Sequence, residues 1–221
     1  MKQVLVTGAT AGIGRAIAEA FLAAGAHVYG VARRPVEGPK GMDLLLEDLC
    51  APGAADRLAD ALPNRIDAVV LNAGTYAPGP LLGSAPEQLD SLWDLNVASG
   101  HRVLRALADR IPRGGHVFVI ASVASRKMFP DKMAYSVTKS AQLAYAEGLR
   151  QELRPRGIRV TAVLPGPTWS ASWEGVELPA DRLLRAEDVA AVVLAAWNLP
   201  PNAVVEEVVI RPMEGDLNAA M

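Results

Sequence analysis

Cysteine is almost missing from this sequence: Cys50 is the only one in 221 residues. A lone thiol closes no internal disulfide, and no paired histidine or oxyanion-type motif accompanies it, so neither a disulfide scaffold nor a thiol nucleophile is indicated. Metal ligands are as scarce. The three histidines, His27, His101 and His116, have no ligand spacing, which excludes the common zinc patterns and leaves no metal as the expectation. Net charge is nearly absent too. The 22 basic and 24 acidic side chains leave −2, with no field to attract a phosphate backbone or an anionic bilayer, so nucleic acid and membrane partners are not expected. Long apolar runs are also lacking: Val4 to Val6 is too short for a signal core, and Val189 to Trp197 falls short of the roughly 20 residues a span needs. A soluble protein of the reducing cytoplasm is expected.

The remaining composition, 51% hydrophobic and 21% charged, is that of an ordinary globular protein. The length suits one domain over residues 1–221. Short β-branched runs at Gln3 to Thr7, His27 to Ala32, Ile66 to Leu71, His116 to Ala121, Ile158 to Val163 and Val204 to Ile210 read as strands. Several are apolar at consecutive positions, as in parallel sheets covered on both faces. Between them Gly12 to Ala24, Pro86 to Ile111, Lys132 to Arg154 and Ala186 to Trp197 have helical composition. Ser84 and Asp188 stand near helix starts, Pro112 and Pro155 near stops. The expectation is a doubly wound α/β fold. One segment breaks the rhythm, because Arg33 to Gly41 leaves only nine residues before the apolar run Met42 to Leu46. A parallel crossover usually takes a dozen or more, so either a helix is trimmed to a loop or the third strand is misplaced.

The first strand runs into Thr7-Gly8-Ala9-Thr10-Ala11-Gly12-Ile13-Gly14 and then a helix. This is the context of a dinucleotide fingerprint: Gly8 permits the turn, Gly12 admits a pyrophosphate, Gly14 allows close packing, and the helix start offers N–H groups to the negative charge. At the end of the second strand, where an acidic side chain would hold ribose hydroxyls, the chain has Arg33-Arg34. Guanidinium groups suit a 2′-phosphate, which favours NADP (NADPH) over NAD.

Tyr135 and Lys139 lie four apart in a helical stretch and so share a face. A neighbouring ammonium lowers a phenol's pKa by favouring the phenolate. That spacing alone is commonplace on solvated helices. Ser122, however, follows the strand His116 to Ala121, and Asn72-Ala73-Gly74 follows another, placing both at the carboxyl ends where open α/β sheets bind ligands.

On these residues the chain resembles the short-chain dehydrogenase/reductase family. Thr7 to Gly14 matches TGxxxGxG, Asn72 to Gly74 matches NAG, and Asn96, Ser122, Tyr135 and Lys139 match the catalytic set in order. Pro165-Gly166-Pro167-Thr168 matches the segment after the sixth strand. The resemblance implies a Rossmann fold of about seven parallel strands with helices on both faces. It implies an oxidoreductase moving hydride between NADP(H) and a carbonyl/alcohol pair. Tyr135 would exchange the proton, Ser122 polarise the oxygen, Lys139 lower the tyrosine pKa and hold the nicotinamide ribose, and Asn96 order a relay water. Cofactor contacts would come from Gly8, Thr10, Gly12, Ile13, Gly14, Arg33, Arg34, Asn72, Ala73, Gly74, Tyr135, Lys139, Pro165, Gly166 and Thr168. Asp48 with Leu49 would meet the adenine, or Asp43 in place of Asp48.

Some NADP-preferring relatives carry a basic residue where this chain has Ala11, so selectivity rests on Arg33 and Arg34. Thr168 to Asp181 is a short lid with Trp169 and Trp173, suited to an apolar or aromatic carbonyl compound or equally to filling core. Pairing into a homo-oligomer, dimer or tetramer, is expected by resemblance through the helices Pro86 to Ile111 and Lys132 to Arg154. The rival functions are a noncatalytic NADP-binding sensor or scaffold, which the intact catalytic set argues against, and an epimerase or dehydratase, which the length disfavours.

Overall fold

The computed structural model describes residues 1–170, 173, 178–179, 182–215 and 217. Its strands are β1 (Gln3–Thr7), β2 (His27–Ala32), β3 (Asp43–Leu46), β4 (Ala68–Leu71), β5 (His116–Ile120), β6 (Arg159–Pro165) and β7 (Glu207–Ile210). All six pairings are parallel, in the order β3-β2-β1-β4-β5-β6-β7. The order reverses between β1 and β4, which opens a crevice beyond their carboxyl ends.

Among the described residues six α-helices cover the faces: α1 (Gly12–Ala23), α2 (Ala54–Ala61), α3 (Pro86–Trp93), α4 (Ser99–Leu107), α5 (Met133–Leu153) and α6 (Ala186–Trp197). Strand alternation decides which face each residue serves. Leu5, Val69, Val117 and Val160 pack with Leu58, Leu104 and Leu149 of α2, α4 and α5. Their neighbours Val4, Val6, Val70 and Phe118 pack with Ile17 and Phe21 of α1 and with Val189 and Val193 of α6. Two apolar faces on one strand require apolar side chains at successive positions, and the continuous runs provide them.

Several sequence expectations change. The short crossover is a loop, and β3 pairs with β2 from Tyr29↔Asp43 to Ala32↔Leu46, so the third strand stands where expected and the helix is trimmed. Met42 takes up part of the missing volume. A side chain at Gly30 would meet its Sδ at 2.2 Å, and one at Gly38 its Cε at 2.5 Å. The helix Ala54–Ala61 is an addition to the expected set: it is only eight residues long, and Leu58 is the one large apolar side chain on its buried face. The long stretch Pro86 to Ile111 is interrupted by a π-turn at Asp94–Ala98 and ends in a 3₁₀ turn at Ala108–Arg110. Ser84 does not cap α3: Ala85 holds that position, and the Ser84 hydroxyl donates to Pro80 O at 2.6 Å. Asp188 does serve α6, accepting from Arg185 N at 2.9 Å. β4 starts two residues later than expected and β7 three, whereas β6 extends to Pro165.

Candidate active site

The carboxyl ends of the strands open onto a cleft of about 1010 Å³. Its first wall is the turn after β1. Gly8 and Gly12 adopt positive φ, 67° and 50°, which favours glycine. A Cβ on Gly14 would lie 2.2 Å from Gly8 O and 2.4 Å from Asn72 Nδ2, so only glycine lets α1 approach this closely. A Cβ on Gly12 would meet nothing within 4 Å. α1 begins without a capping side chain or an acidic residue in its first turn. Its first N–H groups thus face space where an anion is stabilised by their donors and by the helix dipole. The residues fit the pyrophosphate of a dinucleotide.

Thr7 organises this wall, a role that no local pattern signals. Its hydroxyl donates to Val70 O at 3.2 Å and accepts from Asn72 N and Ala73 N, each at 2.9 Å. The Asn72 amide in turn donates to Thr7 O at 2.9 Å and Gly8 O at 3.2 Å. β4 is thereby clamped to the glycine turn. Gly8, Thr10, Ile13, Arg33, Arg34, Asn72, Ala73, Gly74, Pro165, Gly166 and Thr168 all line the cleft. Arg33 and Arg34 are exposed at its edge beside Val36, on the loop that replaces the missing helix. Asp48 and Leu49 are not brought to the cleft. The Asp48 carboxylate accepts from Cys50 N at 3.0 Å, and the Leu49 side chain is buried in the core.

The floor carries Ser122 and Tyr135 of the expected catalytic set. Ser122 follows β5, its Oγ accepts from Ala124 N at 3.1 Å, and it neighbours the Tyr135 phenol on the cleft lining. Burial pushes that phenol up to about 12, against the opposing pull of Ser122, and the neighbouring Tyr76 also raises it. Tyr135 nevertheless keeps part of its surface on the cleft. Lys139 lies beneath, with its Nζ 5.6 Å from the Tyr135 ring centroid and donating to Ile120 O at 3.1 Å. Burial depresses it to about 7. The influences that shift Tyr135 are burial, which raises it, Ser122, which lowers it, and Tyr76, which raises it.

Asn96 sits in the π-turn, a bulge type often found at functional sites. Its Oδ1 accepts from Thr75 N at 2.8 Å, and its Nδ2 donates to Thr75 O and to Thr138 Oγ1, both at 3.0 Å. It thus ties the segment after β4 to α5 between Tyr135 and Lys139. Gly12, Gly14, Asn96 and Lys139 do not themselves line the cleft; Asn96 and Lys139 are buried. Tyr76, Phe129 and Lys132 line it as well, beyond the residues that sequence reasoning singles out. Lys132, one helical turn before Tyr135, has a legible position. Trp169 and Trp173 of the expected lid also line the cleft, while its residues 171–172, 174–177, 180 and 181 lie outside the described residues.

Among the described residues no cluster of three potential metal ligands exists and no helix is long and apolar enough to cross a membrane. The sequence matches the short chain dehydrogenase family over residues 2–178. It is 31% identical to sepiapterin reductase of Chlorobaculum tepidum over 98% of this chain and 99% of that protein. A short chain dehydrogenase of Burkholderia cenocepacia, solved in complex with NADP, is 27% identical with a TM-score of 0.85, covering 96% of each chain. A family protein from Francisella tularensis shares the fold at a TM-score of 0.86 and 22% identity, over 95% of this chain and 97% of that one. With a seven-stranded parallel sheet, a glycine turn at a bare helix start and this agreement along the chain, the protein belongs to the short chain dehydrogenase family of oxidoreductases, which use a nicotinamide cofactor.

Proposed function

We propose that the chain is an NADP(H)-dependent carbonyl reductase that works through Tyr135, Ser122, Lys139 and Asn96. The observation that carries this reading is the meeting of Ser122 and Tyr135 on the lining of a cleft that also takes in the glycine turn. The bound nicotinamide supplies the hydride. Ser122 holds the substrate oxygen, and Tyr135 gives it a proton. A phenol pushed up to about 12 stays protonated throughout the neutral range, and that is the form reduction requires. Lys139 orients the nicotinamide ribose, and Asn96 keeps the π-turn and α5 in register behind them. The lid tryptophans and the closed floor limit water.

NADP is favoured over NAD because Arg33 and Arg34 offer guanidinium groups at the cleft edge, at the end of β2 where an acidic side chain would hold ribose hydroxyls. The NADP-bound relative from Burkholderia cenocepacia is consistent with that choice, and the sepiapterin reductase relative with a small carbonyl substrate. A cytoplasmic homo-oligomer completes the proposal. The test is NADPH oxidation over a panel of ketones, aldehydes and diketones, with NADH in parallel and Tyr135→Phe as control. Turnover lost in the variant supports the reading, whereas NADPH binding without turnover of any carbonyl would favour a noncatalytic sensor, and a preference for NADH would overturn the role given to the two arginines.

A further inference from the structure

The chain has four tryptophans, four tyrosines and three phenylalanines, and five of them, Tyr76, Phe129, Tyr135, Trp169 and Trp173, line the cleft. Core packing does not demand this: Tyr76 is 47% and Trp169 56% exposed. Exposed aromatic surface gathered at a concave site marks a binding face. The Tyr76 ring meets Tyr135 edge to face, with centroids 5.3 Å apart and planes at 75°. Whatever presents a carbonyl to Tyr135 therefore lies against Tyr76 as well.

A cation completes this wall. Lys132 lines the cleft, with its Nζ 5.0 Å from the Phe129 centroid and 5.9 Å from that of Tyr76. The carboxylate beside it, Asp131, is 3.6 Å away, half exposed and outside the cleft lining. A pair that long and that wet is weak, so the ammonium can take a second anion on its cleft side. The wall is also preorganised. Gly79 N donates to Asp131 O at 2.7 Å and Met133 N to Gly79 O at 3.1 Å, so the segment carrying Tyr76 is tied by its backbone to the start of α5.

We infer that the substrate is an aromatic carbonyl compound bearing a carboxylate, its ring packed on Tyr76 and Phe129 and its carboxylate paired with Lys132. The inference rests on the reductase reading. The carbonyl carbon accepts the hydride of the reduced nicotinamide, its oxygen takes the Tyr135 proton, and solvent restores that proton, giving the secondary or primary alcohol and the oxidised cofactor.

The experiment compares kcat/KM for acetophenone, cyclohexyl methyl ketone, para-acetylbenzoate and para-acetylbenzamide at saturating NADPH. Aromatic over cyclohexyl should be favoured by about tenfold, and carboxylate over carboxamide by about tenfold, mostly in KM. The second ratio should shrink as salt is raised to about 0.5 M. It should collapse toward one in Lys132→Met and survive in Lys132→Arg, with NADPH titration verifying that each variant is folded. Equal kcat/KM for the two rings, or a carboxylate preference untouched by Lys132→Met, overturns the inference while Tyr135-dependent turnover leaves the reductase reading standing. Absence of NADPH-dependent turnover with every carbonyl overturns both.

Discussion

The two ends of the sheet both bury ionisable groups whose pKa values burial shifts, but Tyr135 at one end lines a cleft whereas His116 at the other is fully buried. At the carboxyl end, burial pushes Tyr135 up to about 12 and Lys139 down to about 7. At the amino end, burial and the nearby Arg159 push His116 down to about 3. Thr161 donates its hydroxyl to Val205 O at 2.6 Å, so it accepts from His116 Nε2 at 2.7 Å, and this fixes the neutral tautomer with Nδ1 unprotonated. The imidazole stacks on Phe118 at 3.9 Å, while the Arg159 guanidinium donates to Ala196 O, Trp197 O and Leu199 O at the end of α6. That cluster is closed and serves the fold. A shifted pKa indicates chemistry only where a cleft brings a reactant to it.

The largest effect that would break this contrast is at Tyr135. Tyr135→Phe should lower kcat by about 10²- to 10⁴-fold while retaining NADPH binding, checked by steady-state rates beside fluorescence titration. An unchanged rate would put Tyr135 in the same structural class as His116. Next comes the cofactor edge, where Arg33→Ala with Arg34→Ala should raise the NADPH KM by at least about tenfold, equivalent to about 1.4 kcal/mol, and leave that for NADH nearly unchanged.

The amino end should show itself in stability rather than rate. His116 binds a proton in the unfolded chain below its ordinary value of 6.5 but in the folded chain only below about 3. Between those values the unfolded state holds more protons. Stability therefore falls as pH drops through that window, by up to about 1.4 kcal/mol per unit. Chemical denaturation of His116→Gln should show a shallower acid slope. Lys139 gives the same sign in a different window, stability rising from about 7 to its ordinary 10.5. Tyr135 gives the opposite, stability falling above its ordinary 10.0 toward about 12. The smallest effect belongs to the crossover loop: Met42→Ala should cost about 1 kcal/mol and raise the NADPH KM a few-fold, with Met42→Leu restoring both.

Much of the site was legible because its chemistry is local in sequence. Gly8, Gly12 and Gly14 lie within one turn, and Tyr135 and Lys139 within one helical turn, so spacing alone placed each group on a common face. Asp48 and Leu49 do not line the cleft: the Asp48 carboxylate accepts from Cys50 N and the Leu49 side chain joins the core. The hub at Thr7 and the π-turn around Asn96 were not visible, since each depends on partners about twenty to sixty-five residues away. The trimmed crossover was visible as a length; its filling by Met42 was not.

By itself the sequence determined the parallel α/β alternation, the bare helix start that suits an anion, and the identity of the groups able to hold an oxygen and pass a proton. Those features arise from periodicity, backbone sterics and side-chain chemistry, which act over a few residues. Only the tertiary structure decided that Lys139 is buried toward Ile120 O, that Phe129 and Lys132 join Tyr76 around Tyr135, and that His116 is sealed away from any ligand. Burial and proximity are properties of packed elements distant in the chain, so no local pattern encodes them.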